Sequence, residues 1–236
     1  SLGGENWFRL GDRDIGLHLE RTCQLNSGSK LSEFCGRICD KWGIRQVVLP
    51  ATDDRLRTVV QTNEKGELAF QHYFVKERCE PTVCGFRFDG AKQAVAAPGV
   101  IEAILSADII IVCPSNPWVS IDPILSIPGI RQSLFNKKRV LALSPIIGGK
   151  TIKGPAAKMF EDLGIEPSAI RVAEHYRDFL AGFVLDNLDS QLGQELTRWG
   201  IKPYATQTIM RNARDRLRLA KEIVRFGLTL PENSRP

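Results

Sequence analysis

The sequence predicts an α/β protein with a mostly parallel sheet flanked by helices and a small β-hairpin insertion. Two nearly continuous apolar runs, 107–113 (ADIIIVC) and 139–143 (RVLAL), read as strands buried on both faces, the habit of parallel sheets. Stretches with helical apolar spacing alternate with them, giving a βα rhythm. Between about residues 56 and 96 the pattern changes to strict alternation around a polar turn, which is the mark of antiparallel strands.

Taken in order, Asp12 can cap a helix from Arg13 to about Thr22, with Ile15, Leu17 and Leu19 on a rough apolar face. Ser29 or Ser32 opens a second helix through Phe34, Ile38 and Trp42, which Gly43 closes. Ile44 to Leu49 reads as a strand leading into the polar cluster 52–55 (TDDR). Leu56 to Thr62 and Leu68 to Val75 form the hairpin about the turn 63–66 (NEKG), extended by Val83 to Phe88. Pro98-Gly99 starts a helix to Leu105. A short helical piece at Ile130 to Phe135 separates the two buried strands, and Pro155 begins a helix to Leu163. Phe183 to Leu185 and Pro203 to Thr206 complete the sheet, and Ala213 to Phe226 is a closing amphipathic helix.

Composition is that of a globular chain: 236 residues, 43% hydrophobic and 25% charged, which excludes disordered and fibrous classes. The net charge of +5 suits an anionic small molecule and argues little for nucleic acid. The basic residues Arg211, Arg214, Arg216, Arg218, Lys221 and Arg225 interleave with apolar ones at helical spacing and read as a solvated helix face. Six cysteines make no C-x-x-C pair, so a structural zinc site is not expected, and Cys113 reads as a small buried hydrophobe. No apolar run approaches the ~20 residues that span a bilayer. A cytoplasmic protein with reduced cysteines is the simplest account.

Ligands of open α/β sheets bind beyond the carboxyl ends of the strands. Two of those ends lead into unusual loops. After ADIIIVC come Pro114-Ser115-Asn116-Pro117, where two prolines set the height of a hydroxyl and an amide. After RVLAL comes 144–155 (SPIIGGKTIKGP), whose adjacent glycines permit close approach to a ligand and whose Lys150 and Lys153 are cationic donors. That is phosphate chemistry, although it is no P-loop, because Ser144 stands where the first glycine would be. Two further clusters, 9–14 (RLGDRD) and 53–55 (DDR), are either helix caps and surface pairs or carboxylates that hold Mg²⁺ or orient a hydroxyl. His18, His72 and His175 share no ligand spacing and read as structural.

These segments resemble the 2-phospho-L-lactate transferase family (CofD, FbiA in actinobacteria). The resemblance rests on 5–14 (ENWFRLGDRD), 52–55 (TDDR), 114–117 (PSNP), 144–150 (SPIIGGK), 154–156 (GPA) and 172–180 (VAEHYRDFL), in the family's order and spacing. It implies one CofD-like domain over residues 1–236 with a Rossmann-like sheet. The implied activity is transfer of a phospholactyl-type group from a guanosine diphosphate-linked donor to the deazaflavin FO. GMP is released, Mg²⁺ assists, and the step belongs to coenzyme F-420 biosynthesis. The donor acid stays open among 2-phospholactate, phosphoenolpyruvate and phosphoglycerate. The resemblance assigns the nucleotide to Ser115, Asn116, Pro117, Gly148, Gly149 and Lys150, FO to Arg9, Asp12 and Arg55, and catalytic roles to Asp12 and Asp53. It also implies a homodimer, with no nucleic-acid or membrane partner. The family's glycine-rich nucleotide loop and acidic metal-binding segment have no counterpart here. The first strand and the main metal ligand are therefore not expected among these 236 residues: either they lie outside them or the protein is no longer catalytic, and the metal ligands stay unknown. The alternative is a non-catalytic nucleotide-sugar-binding regulator of the related YvcK type.

Overall fold

A computed structural model describes residues 7–152 and 154–231. The chain divides into two compact units, Ser1–Ile101 with Ser126–Pro128 and Glu102–Leu125 with Gly129–Pro236.

The first unit opens with α1 (Asp12–Asn26) and α2 (Leu31–Lys41). Asp12 is the first helical residue rather than the cap; Gly11 holds that place, and Asp12 and Asp14 put negative charge in the first turn, where the helix dipole favours it. α2 ends as expected. Gly43 takes φ 63°, its amide bonds Asp40 and the next amide bonds Cys39, the crossed pair that satisfies the last carbonyls. The predicted strand at 44–49 does not form. Its β-branched residues favour an extended conformation, but a strand also needs a ladder partner, and Val47 is 84% exposed.

The insertion is a three-stranded antiparallel sheet. β1 (Arg57–Thr62) pairs with β2 (Gly66–Ala69) on one side and β3 (Val83–Asp89) on the other. Thr62 closes the hairpin by donating to the Gly66 carbonyl and accepting from the Lys65 amide. Between β2 and β3 the chain makes a wide π-turn at His72–Lys76, with Tyr73 wholly buried. After β3, α3 (Val100–Ser106) leads onward.

The second unit carries the parallel sheet, in the order β4 (Ile110–Val112), β5 (Val140–Leu143), β8 (Gly182–Asp186), β9 (Lys202–Thr206). A π-turn at Pro117–Ile121, α4 (Asp122–Leu125) and α5 (Ile130–Phe135) connect β4 to β5. The small hairpin β6 (Ile146–Ile147) and β7 (Lys150–Thr151), then α6 (Ala156–Asp162) and α7 (Ala169–His175), connect β5 to β8. α8 (Gly193–Arg198) precedes β9, and α9 (Ala213–Leu228) follows it. β5 and β8 are buried at every position, as central parallel strands should be. β4 lies at the edge of this sheet, which corrects one expectation: its residues are only half-buried and Cys113 is exposed.

Alternation sorts the faces. Leu141, Leu143 and Val184 meet Leu219, Ile223 and Phe226 of α9 together with Leu230. Val140, Ala142, Phe183 and Leu185 are left for the opposite face and are wholly buried. α9 can approach this closely because Gly227 has no side chain; a Cβ there would sit 2.8 Å from Leu141 Cδ2. Each aliphatic or aromatic side chain buried this way contributes roughly 1.5–3 kcal/mol.

Candidate functional site

The loops after β4 and β5 leave adjacent, parallel strands at the same end, because Val112 pairs with Ala142. Ser115, Asn116 and Pro117 thus belong to the same rim as Gly148, Gly149 and Lys150, while Lys153 lies outside the described residues.

Asn116 is committed to local structure. Its Oδ1 accepts from the amides of Trp118 (3.0 Å) and Val119 (3.3 Å), capping the π-turn, and its Nδ2 lies 3.1 Å from Met159 Sδ on α6. Pro117 is buried at the first position of that turn, where no amide is needed. Ser115 remains half-buried on the loop.

The glycine loop is a tight hairpin rather than an open phosphate cradle. Ser144, buried after β5, donates to the Ile146 carbonyl and accepts from its amide, turning the chain at once. Gly148 (φ 55°) and Gly149 (φ 75°) form the two-residue turn of β6–β7, and positive φ at both positions is what such turns demand. The Gly148 amide is already engaged: both carboxylate oxygens of Asp189, at 3.0 and 3.2 Å, accept from it. An internal carboxylate thus occupies the anion-binding amide. Lys150 is exposed and makes no ion pair among the described residues.

Two carboxylates and a cavity were missed from sequence. Asp186 ends β8 and joins it to the segment after β9, accepting from the Thr208 amide and hydroxyl, both at 2.8 Å, and from the Leu188 amide. Burial alone would raise its pKa, but these hydrogen bonds outweigh it and hold the carboxyl below its ordinary range. Asp189 follows three residues later, also buried. The signal existed in 184–189 (VLDNLD), two carboxylates immediately after a buried strand. Past the ends of β8 and β9 lies a cavity of about 520 Å³ bordered by Asn187, Gln207, Arg211 and Arg218. Arg218 donates to Glu222 at 2.9 and 3.0 Å and to the Gln207 carbonyl, so its charge is largely spent inside the protein.

The remaining predicted residues, Arg9, Asp12, Asp53 and Arg55, lie in the first unit. Arg9, Asp12 and Arg55 are exposed. Asp53 is engaged as a long-range helix cap, accepting from the Ser32 amide (2.7 Å) and hydroxyl (2.8 Å) at the start of α2. Asp54 accepts from the Val95 amide, and Thr52 donates to the Val95 carbonyl, so the 52–55 turn is pinned throughout. Among the described residues no three His, Cys, Asp or Glu side chains gather as a metal site. These residues alone therefore do not fit a protein cage for Mg²⁺.

The fold is an open parallel α/β sheet with its loops gathered at the carboxyl ends. A profile of the family described as 2-phospho-L-lactate transferase CofD matches residues 5–216. A 2-phospho-L-lactate transferase of Methanosarcina mazei is 38% identical over 94% of this chain and 73% of its own length. A phosphoenolpyruvate transferase of Streptomyces griseus is 40% identical over 93% of this chain and 73% of its own. Protein BH3568 of Bacillus halodurans, a member of the UPF0052 family, superposes with a TM-score of 0.60 at 12% identity, covering 85% of this chain and 68% of that one, a likeness of fold alone. The chain belongs to the 2-phospho-L-lactate transferase CofD family. No helix among the described residues is long and apolar enough to cross a membrane.

Proposed function

We propose that this protein is a transferase of coenzyme F-420 biosynthesis. It moves a phospholactyl-type group from a guanosine diphosphate-linked donor to a hydroxyl of the deazaflavin FO and releases GMP. The observation that carries the reading is family membership over nearly the whole chain, combined with two family loops on neighbouring strands at the ligand-binding end of the sheet.

The donor's phosphates are assigned to Lys150, beside the hairpin whose Gly148 amide Asp189 already holds, with Ser115 and Asn116 on the same rim. Arg9, Asp12 and Arg55 are assigned to the FO side. Transfer of this kind depends on positioning and charge neutralisation, which one exposed lysine and a rigid turn can serve. Mg²⁺ would add counter-charge to the donor's phosphates. Asp53 is better assigned to shaping its turn than to chemistry, because both its oxygens are engaged. Relatives act, by their names, on phospholactate in one case and phosphoenolpyruvate in another, so both donors belong in the test.

The experiment is to mix the protein with FO, Mg²⁺ and guanylylated phospholactate, phosphoenolpyruvate or phosphoglycerate and to measure GMP. GMP with one donor and FO-dependent product is expected. Nucleotide binding without GMP from any donor would replace this reading with that of a binding regulator.

A further inference from the structure

The motif at 172–180 has no part in the chemistry above, yet its His175 meets the turn that follows Asn116, at Trp118 and Asp122. His175 is the last residue of α7, and its Nε2 lies 2.8 Å from Oδ1 of Asp122, the first residue of α4. The two side chains are only 26% and 18% exposed. Arg131 of α5 braces the same corner: its guanidinium meets both oxygens of Asp178 at 2.7 and 2.8 Å and the His175 carbonyl at 3.4 Å.

Asp122 ends the π-turn that Asn116 begins. The Asn116 carbonyl accepts from the Ser120 amide at 3.1 Å and, five residues on, from the Ile121 amide at 3.4 Å, while the Asp122 amide reaches back five residues to Pro117; such a widened turn is rarer than a plain α-turn and is kept where neighbours hold it. Contacts with the α6–α7 layer hold it. Asn116 meets Met159, the Trp118 ring lies 4.3 Å from that of Phe160 and 6.1 Å edge-on from that of His175, and Asp122 bonds His175. The contacts of Asn116 and Trp118 are with sulfur and aromatic rings. The Asp122–His175 bond is a directional tie, and it acts at the far end of the turn, where slippage would carry Asn116 out of register.

We propose that His175 is a positioning residue. Through its bond to Asp122 it keeps the π-turn open and sets the height of Ser115 and Asn116 against the Gly148–Lys150 hairpin. The proposal rests on the transferase reading in taking that crevice as the donor's nucleotide site.

The test compares wild type, His175→Ala and His175→Gln by calorimetric titration with GDP and by KM for donor and for FO. His175→Ala should bind GDP about tenfold more weakly and show a matching rise in donor KM, the scale of one lost hydrogen bond, with FO KM unchanged. Glutamine, whose amide nitrogen approaches the Nε2 position, should restore most of the loss, and Asp122→Ala on top of His175→Ala should add nothing. If His175→Ala does not fold, Asp122→Asn reports instead, with a loss of about threefold in GDP affinity from weakening the same bond. Wild-type GDP affinity and donor KM in His175→Ala, or an equal rise in donor and FO KM, would overturn the proposal. Turnover absent from every protein while GDP affinity still follows position 175 would overturn the transferase reading and support the positioning role.

Discussion

Lys150 and Asn116 sit on the same rim, but their substitutions should behave differently. Lys150 is exposed and without an ion pair among the described residues, so Lys150→Ala should leave denaturant stability within about 0.5 kcal/mol and weaken GDP binding roughly tenfold. Unchanged GDP affinity would show that the nucleotide lies elsewhere. Asn116→Ala removes a cap and should also cost about 1 kcal/mol of stability, read by urea denaturation. Tyr176 offers the opposite case. It is 1% exposed and its hydroxyl meets no hydrogen-bond partner among the described residues, while burial, with Asp122 adding to it, pushes the phenol well above its ordinary pKa. Removing an unpartnered buried hydroxyl leaves no orphan behind, so Tyr176→Phe should hold or raise the melting temperature. A clear fall would mean that the hydroxyl makes a bond that stabilises the fold.

At the scale of elements, two turns separate conformational strain from steric conflict. Gly148 has positive φ with open space where a Cβ would go, so Gly148→Ala should cost only the left-handed penalty, about 1–2 kcal/mol. Gly90, after β3, also has positive φ, and a Cβ there would lie 2.2 Å from the Arg55 carbonyl. Backbone would have to move, and Gly90→Ala should cost about 3 kcal/mol or more by urea denaturation and displace the 53–55 turn. Equal costs at the two positions would refute the distinction.

For the whole molecule, one buried source of acid sensitivity lies at the carboxyl end of β8. Asp186 has a folded pKa below its ordinary value of 3.8, so the unfolded chain binds its proton more readily. Its contribution is therefore fully present above that value and is lost as pH falls through the lower folded pKa. Urea denaturation of wild type should show stability declining below about pH 4. Asp186→Asn should flatten that decline while lowering stability at neutral pH, because an amide nitrogen in place of Oδ2 no longer accepts from the Thr208 amide. An unaltered pH profile would place the acid response in other groups.

Much of this was legible in the chain itself. The apolar runs at 139–143 and 183–185, the hairpin turn at 63–66 and the closing helix follow from periodicity and turn chemistry, which are local properties, and the order of the motifs was enough to indicate the family. Other features depend on partners distant in sequence. Asp53 reads as a catalytic carboxylate until Ser32 is seen to take both its oxygens, and 44–49 reads as a strand until no ladder forms beside it. The Gly-Gly-Lys loop reads as a phosphate cradle until Asp189, 41 residues on, is seen to hold its amide. His175 reads as a lone core histidine until Asp122, 53 residues earlier, appears against it. The sequence alone determined which segments could be strands, turns and helices, because those preferences are written over a few neighbouring residues. Only the tertiary structure decided which polar groups are free to meet a ligand, because a hydrogen-bonding group is claimed by whatever the fold brings within 3 Å of it.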